Sequence, residues 1–143
     1  MTTNPYSTVD QSPINIRFKL SALWIAMMFM YVFADVLAVF EPGTVQGLLS
    51  GTLHGVQFTQ EVLFGAAILV SIPSLMVFLC LILPARWNRR ANIILGIVYA
   101  LVNMANLLSF ADPWAYIIFF NLAESAINLL IVWYAWRWTT REA

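Results

Sequence analysis

Four apolar stretches, at about residues 20–40, 61–84, 91–110 and 114–136, limit what this chain can fold into. Each runs roughly 20 residues or more, and at ~1.5 Å per residue each reaches about 30 Å, the thickness of bilayer hydrocarbon. A segment inside lipid must satisfy its own backbone polar groups, so each stretch is expected to be a helix. The remaining composition agrees: 62% of the 143 residues are hydrophobic, mean hydropathy is +0.81, and only seven basic and seven acidic residues are present. That composition excludes a disordered chain, a nucleic-acid binder and an ordinary soluble domain. One cysteine, Cys80, excludes a disulfide scaffold. The expected fold class is therefore all-α integral membrane: a four-transmembrane-helix bundle over residues 17–143, after a polar, mobile tail at residues 1–16.

Punctuation supports the four spans. Glu41-Pro42-Gly43 stops the first, Thr59 is a candidate N-cap for the second, Pro84 ends it, and Asp112-Pro113 suits the start of the fourth. Arg17, Lys19, Arg86, Arg89, Arg90, Arg137 and Arg141 fall in the N-tail, the 85–90 loop and the C-tail, whereas loops 41–60 and 111–113 have no basic residue. The positive-inside rule then places both termini in the cytoplasm and the 41–60 loop outside. Trp87, Trp133, Tyr134, Trp136 and Trp138 would form the inner aromatic belt, and Trp114 and Tyr116 the outer one. The first span is too long for a signal-peptide core, carries Asp35 and lacks a small-residue cleavage site, so it is expected to be retained.

In the outer loop Gly43, Gly47, Gly51 and Gly55 recur every fourth residue, which on one helix would form a close-packing face. A short interfacial helix capping the bundle is expected, with a lid over an outward-facing pocket as the sharper possibility. His54 is the only histidine and has no second ligand nearby, so no metal or cofactor is expected; Cys80 reads as a packing residue.

Polar residues interrupt each span at helical spacing. Trp24, Met28, Tyr31 and Asp35 share one face of the first; Gln60, Phe64, Ala67, Ser71, Ser74 and Phe78 one face of the second. Asn92, Gly96, Tyr99, Asn103 and Asn106 align in the third, and Trp114, Ile117, Asn121, Glu124 and Asn128 in the fourth. Turning all four stripes inward keeps polar groups out of lipid. Glu124 would lie near the midplane and Asp35 about one turn below the outer surface, with no basic residue to neutralise either. Glu124 is then protonated and hydrogen-bonded to Asn121, Asn128 or Asn103, or faces a water-filled cavity, or binds a cation, a proton or a ligand amine. Pro73 is placed to free a backbone carbonyl in the second span.

Leu20-Ser21-Ala22-Leu23-Trp24, Tyr31, Ala34-Asp35-Val36, Glu41-Pro42-Gly43, Gly65-Ala66-Ala67-Ile68, Ile72-Pro73, Arg90-Ala91-Asn92-Ile93-Ile94 and Trp133-Tyr134-Ala135-Trp136 together resemble a family of small bacterial four-helix membrane proteins of unknown function. The resemblance covers most of the chain after residue 17 and implies a fold and a bacterial cytoplasmic (inner) membrane, but no activity. More distantly the layout is similar to DoxX-like proteins. It is also similar to the four-helix sterol-isomerase and sigma-2-receptor group, in which acids inside the bundle meet lipophilic amines or sterols.

Three functions fit these residues. The first is a pocket for a small lipophilic molecule, neutral or cationic, lined by Tyr31, Asp35, Asn103, Asn106, Asn121 and Glu124. The second is an accessory or chaperone-like subunit of a larger membrane complex. The third is a proton- or cation-coupled transporter, as a homodimer. No nucleotide, redox or hydrolase motif is present, which leaves acid–base isomerisation as the enzymatic option.

Overall fold

The computed structural model describes residues 14–53 and 55–138. Most of the N-terminal tail, His54 and Arg141 therefore lie outside the described residues. Seven elements follow in order: α1 (Ile16–Ala38), α2 (Thr44–Ser50), β1 (Thr52–Leu53), β2 (Val56–Gln57), α3 (Gln60–Ile82), α4 (Ala85–Ser109) and α5 (Ala115–Arg137). The first, second, third and fourth spans are α1, α3, α4 and α5. Each of these four helices is long and apolar enough to cross a membrane, and the chain is a multi-pass membrane protein.

The helix starts differ from expectation in instructive ways. Asn15 caps α1, its side chain accepting from the Arg17 backbone N–H at 2.9 Å, so the helix begins four residues earlier than hydropathy alone suggests. Thr59 caps α3 as expected, accepting from the Val62 N–H at 3.3 Å. The 85–90 loop does not exist: α4 starts directly after Pro84, and Arg86, Arg89 and Arg90 occupy its first two turns. Hydropathy misreads this segment because charged residues at a membrane surface are compatible with helix. The cap expected at Asp112-Pro113 is also displaced. Trp114 holds the N-cap position of α5 with no side-chain cap bond, which leaves Asp112 too far upstream to cap it.

The glycine periodicity between α1 and α3 is not one helix face. Gly43 (φ 90°) and Gly51 (φ 76°) bound α2 in left-handed conformations, and Gly55 (φ 80°) sits in the turn of the antiparallel β1–β2 hairpin, where Leu53 pairs with Val56. Only Gly47 lies inside α2. A Cβ there would stand 2.6 Å from the Thr52 backbone oxygen, so this glycine lets the hairpin fold back against its own helix.

Packing places α1 between α3 and α5, and α5 between α1 and α4. The α4–α5 pair is the closest, because Gly96 has no side chain: a Cβ there would meet Val132 Cγ2 at 2.7 Å. The buried core gathers Leu20, Trp24, Met27, Met76, Cys80, Tyr99, Ile131 and Ala135. Trp24 is its centre. The ring meets Tyr99 edge to face at 6.0 Å, and its Nε1–H donates to Asn92 Oδ1 at 2.7 Å.

The same end of the bundle carries the described basic residues. Arg89 donates to the Ala135 and Trp136 carbonyls at 3.1 Å each, satisfying the last turn of α5. Arg17 donates to the Leu81 carbonyl at 2.9 Å. Arg17 stacks on Trp138, Lys19 on Tyr134 and Arg137 on Trp133, with cation-to-ring distances of 5.8, 5.6 and 4.7 Å. The first residues of α1 and α4 thus meet the last residues of α3 and α5 at one basic end.

The second span corrects the expectation of four inward stripes. Residues 59–71 are all exposed, Gln60, Phe64, Ala67 and Ser71 among them, and so are Ser74 and Phe78. The α3 residues that face the core are Pro73, Met76 and Cys80. The serines need no inward partner, because each bonds its own helix: Ser71 to the Ala67 carbonyl at 2.7 Å and Ser74 to the Val70 carbonyl at 3.0 Å.

Candidate intramembrane pocket

Polar faces of α1, α4 and α5 converge in the half of the bundle away from the basic end. Tyr31 and Asp35 are one turn apart on α1; Asn103 and Asn106 sit on α4, and Asn121 and Glu124 on α5, each pair three residues apart and therefore on one face. All six line a single cavity of about 350 Å³. The rest of its wall is apolar: Ala34 of α1, Ala66, Leu69 and Val70 of α3, and Val102 of α4. The cavity is thus two-sided, with acids and amides opposite a smooth aliphatic wall from α3.

Hydrogen bonds fix most of the polar wall. The Tyr31 hydroxyl donates to Asn103 Oδ1 at 2.9 Å, locking the Asn103 amide across the α1–α4 gap. Asn121 Nδ2 donates to the Ile117 carbonyl at 2.9 Å, and Asn121 Oδ1 accepts a long bond from Asn106 Nδ2 at 3.4 Å. Two groups stay open. Asn103 is 3% exposed, yet its Nδ2 has no acceptor. Glu124 is 4% exposed, and none of the described residues donates a hydrogen bond to its carboxyl group. The asparagine partners expected for Glu124 are therefore not realised: Asn121 is committed to Ile117 and Asn106, Asn103 Oδ1 to Tyr31, and Asn128 makes no bond through either amide atom. Asp35, on the same cavity, is exposed.

The electrostatic consequence follows from placement. Two carboxyl groups share one small cavity, and none of its lining residues is basic. The described basic residues lie at the opposite end, where Arg17, Lys19, Arg89 and Arg137 are engaged by the contacts above. Such a site favours positive charge or a hydrogen-bond donor and disfavours anions. Among the described residues, no group of three or more His, Cys, Asp or Glu gathers to hold a metal.

The apolar wall is positioned by a proline. Pro73 has no N–H, so the Leu69 carbonyl one turn earlier loses its helical donor. The Tyr99 hydroxyl, from α4, donates to that carbonyl instead. Pro84 does the same for the Cys80 carbonyl, which receives the Asn88 side-chain amide. Asn88 Oδ1 in turn accepts from Asn92 at 2.7 Å, and Asn92 is the residue that binds Trp24. The proline inside α3 and the proline just past its end are thus each matched by a side chain of α4.

Sequence spacing brought forward the polar wall but not Ala34, Ala66, Leu69, Val70 or Val102, because a cavity-facing aliphatic residue carries no mark that separates it from a lipid-facing one. No lining residue comes from residues 41–60, so the lid possibility has no contact behind it. That segment is tied down elsewhere: the Tyr116 hydroxyl donates to Glu41, joining the end of α1 to the start of α5.

No curated protein and no solved structure matches the chain. Residues 13–143 carry all four spans and the whole cavity. Over that range the chain matches the Family of unknown function (DUF6326), and it belongs to that family.

Proposed function

We propose that this protein binds a small lipophilic molecule bearing a positive charge in the cavity between its spans. One observation carries the reading: Asp35 and Glu124 line the same apolar-walled cavity, and no lining residue is basic. A buried carboxyl group with neither counter-charge nor hydrogen bond is costly in hydrocarbon, and a bound ammonium group removes that cost. Asparagine or serine would serve helix packing at lower cost than a glutamate. By the positive-inside rule the basic end faces the cytoplasm, the termini lie there, and the cavity occupies the outer half of a bacterial inner membrane. A distant relation to DoxX-like proteins belongs to the same proposal and rests on the layout of the four spans.

The alternative is an accessory subunit. It draws on the apolar surface at the far end, where Phe40 is 78% and Leu49 84% exposed beside the glycine-bounded α2. Coupled transport of a proton or cation is the form of the first reading in which the two acids exchange occupants. Native mass spectrometry of protein extracted from its own membrane in mild detergent separates these readings. A small-molecule mass on the wild type that is lost in a folded Glu124→Gln variant supports the pocket. A stoichiometric protein partner, with no small-molecule mass, replaces it with the subunit.

A further inference from the structure

Resting on that reading of the site, we infer that the pocket is loaded sideways from the bilayer, through the seam between α3 and α4, by an amphiphile with an ammonium head and a hydrocarbon chain.

The seam is the open side of the bundle. Helices α1, α5 and α4 pack in sequence, and α3 packs on α1, but α3 and α4 do not pack closely backbone to backbone; the hydrogen bonds between them are Tyr99 to Leu69 and those of Asn88 and Asn92 to Cys80 near the basic end. Beyond the Tyr99–Leu69 bond towards the far end, nothing in the hydrogen-bonding pattern of the described residues ties the two helices. Residues 59–71 of the chain are all exposed, so this half of α3 has no buried face at all, even on the side turned to the bundle. The cavity occupies the resulting gap: Ala66, Leu69 and Val70 form one jamb and Val102 the other. Those residues are aliphatic, as a passage to hydrocarbon requires, and the acids lie at its inner end.

The ligand class follows from the two walls. At ~30 Å³ for each non-hydrogen atom, taken as the volume share of a water, about 350 Å³ holds roughly a dozen atoms. That accommodates a head group and the first part of a chain, with the remainder lying through the seam in lipid. The ammonium head donates to Glu124 and Asp35; having no lone pair, it leaves the open Asn103 Nδ2 to a co-bound water. A phosphate or carboxylate head meets two carboxyl groups with no basic residue to offset them, so phospholipids and fatty acids are disfavoured.

A decylamine carrying a dansyl group at the far end of its chain tests this in nanodiscs. Cysteines introduced by Ala66→Cys and Val102→Cys are bridged by a bis-methanethiosulfonate reagent of graded spacer length, which closes the seam reversibly. Bridging is expected to slow probe association at least tenfold, and reduction of the same sample to restore it. Equal association rates with the seam bridged and open overturn the lateral route and leave the pocket standing. Failure of the reduced protein and of the wild type to bind the probe overturns both. The unmodified protein gives an independent check should the double variant fold poorly. The bound dansyl group is expected to be quenched by acyl-chain nitroxide lipid and shielded from aqueous iodide; the reverse pattern overturns the route.

Discussion

The Tyr99–Leu69 bond exists because Pro73 removes the carbonyl's ordinary donor, and that dependence has a measurable consequence. Tyr99→Phe deletes the hydroxyl and leaves the Leu69 carbonyl without a donor. Inter-helix hydrogen bonds in membranes are worth ~0.6–2 kcal/mol, and an unpaired buried carbonyl costs about 1–3 kcal/mol. Leu69 is 42% exposed, which favours the lower part of both ranges, so a loss of about 1.5 kcal/mol is expected. In a Pro73→Ala background the new backbone N–H supplies the missing donor. Tyr99→Phe should then cost less than about 0.5 kcal/mol, a coupling of ~1 kcal/mol or roughly fivefold in the unfolding constant. Reversible unfolding in mixed micelles of dodecylmaltoside and dodecyl sulfate measures the four proteins of the cycle. Isotope-edited infrared spectroscopy of the Leu69 carbonyl reports the bond itself. Equal costs of Tyr99→Phe in both backgrounds, or a Leu69 carbonyl frequency indifferent to the tyrosine, would show that Tyr99 does not replace the donor that Pro73 removes.

Two glycines lead to further expectations of different kinds. Gly96→Ala places a Cβ 2.7 Å from Val132 Cγ2 in the tightest helix pair and is expected to destabilise the whole bundle by about 1–3 kcal/mol in the same micelle assay; an unchanged midpoint would show that α4 and α5 are not held that close. Gly47→Ala puts its Cβ 2.6 Å from the Thr52 carbonyl oxygen, backbone that cannot step aside cheaply. Its effect should stay local, raising amide hydrogen exchange across 44–57 while the four long helices keep their protection. Unaltered exchange there would count against the packed hairpin.

Much of this architecture is legible in the sequence, for physical reasons that also mark where legibility stops. Hydropathy finds the spans because lipid imposes a length and an apolar composition. It places their ends poorly, since lipid imposes no such rule on Arg86, Arg89 and Arg90, which lie in the first turns of α4, where Arg89 also completes the last turn of α5. Helical spacing collected Tyr31, Asp35, Asn103, Asn106, Asn121 and Glu124, and the structure sets all six on one cavity. The same spacing gave the wrong orientation for Ser71 and Ser74. A serine that bonds its own helix tolerates lipid, so a polar stripe of serines does not carry the directional force of a stripe of amides and acids. The four glycines illustrate a further limit. A four-residue period does not distinguish a helix face from a helix bounded by two left-handed caps and followed by a hairpin turn; only the backbone angles separate them. Pro73 signalled a freed carbonyl, while the identity of its donor, Tyr99, depends on the packing of α4 against α3.

If Asp35 and Glu124 hold a positively charged lipophile, the charge of the ligand must decide its affinity. The most direct test is a pair of titrations in nanodiscs, decylamine and the uncharged decanol, against wild type and Glu124→Gln with the folded fraction of each verified. Decylamine is expected to bind the wild type at least tenfold more tightly than decanol, about 1.4 kcal/mol or more, and that preference to collapse in Glu124→Gln. Equal affinity of the wild type for the amine and the alcohol, or a preference untouched by Glu124→Gln, would contradict this role of the two acids.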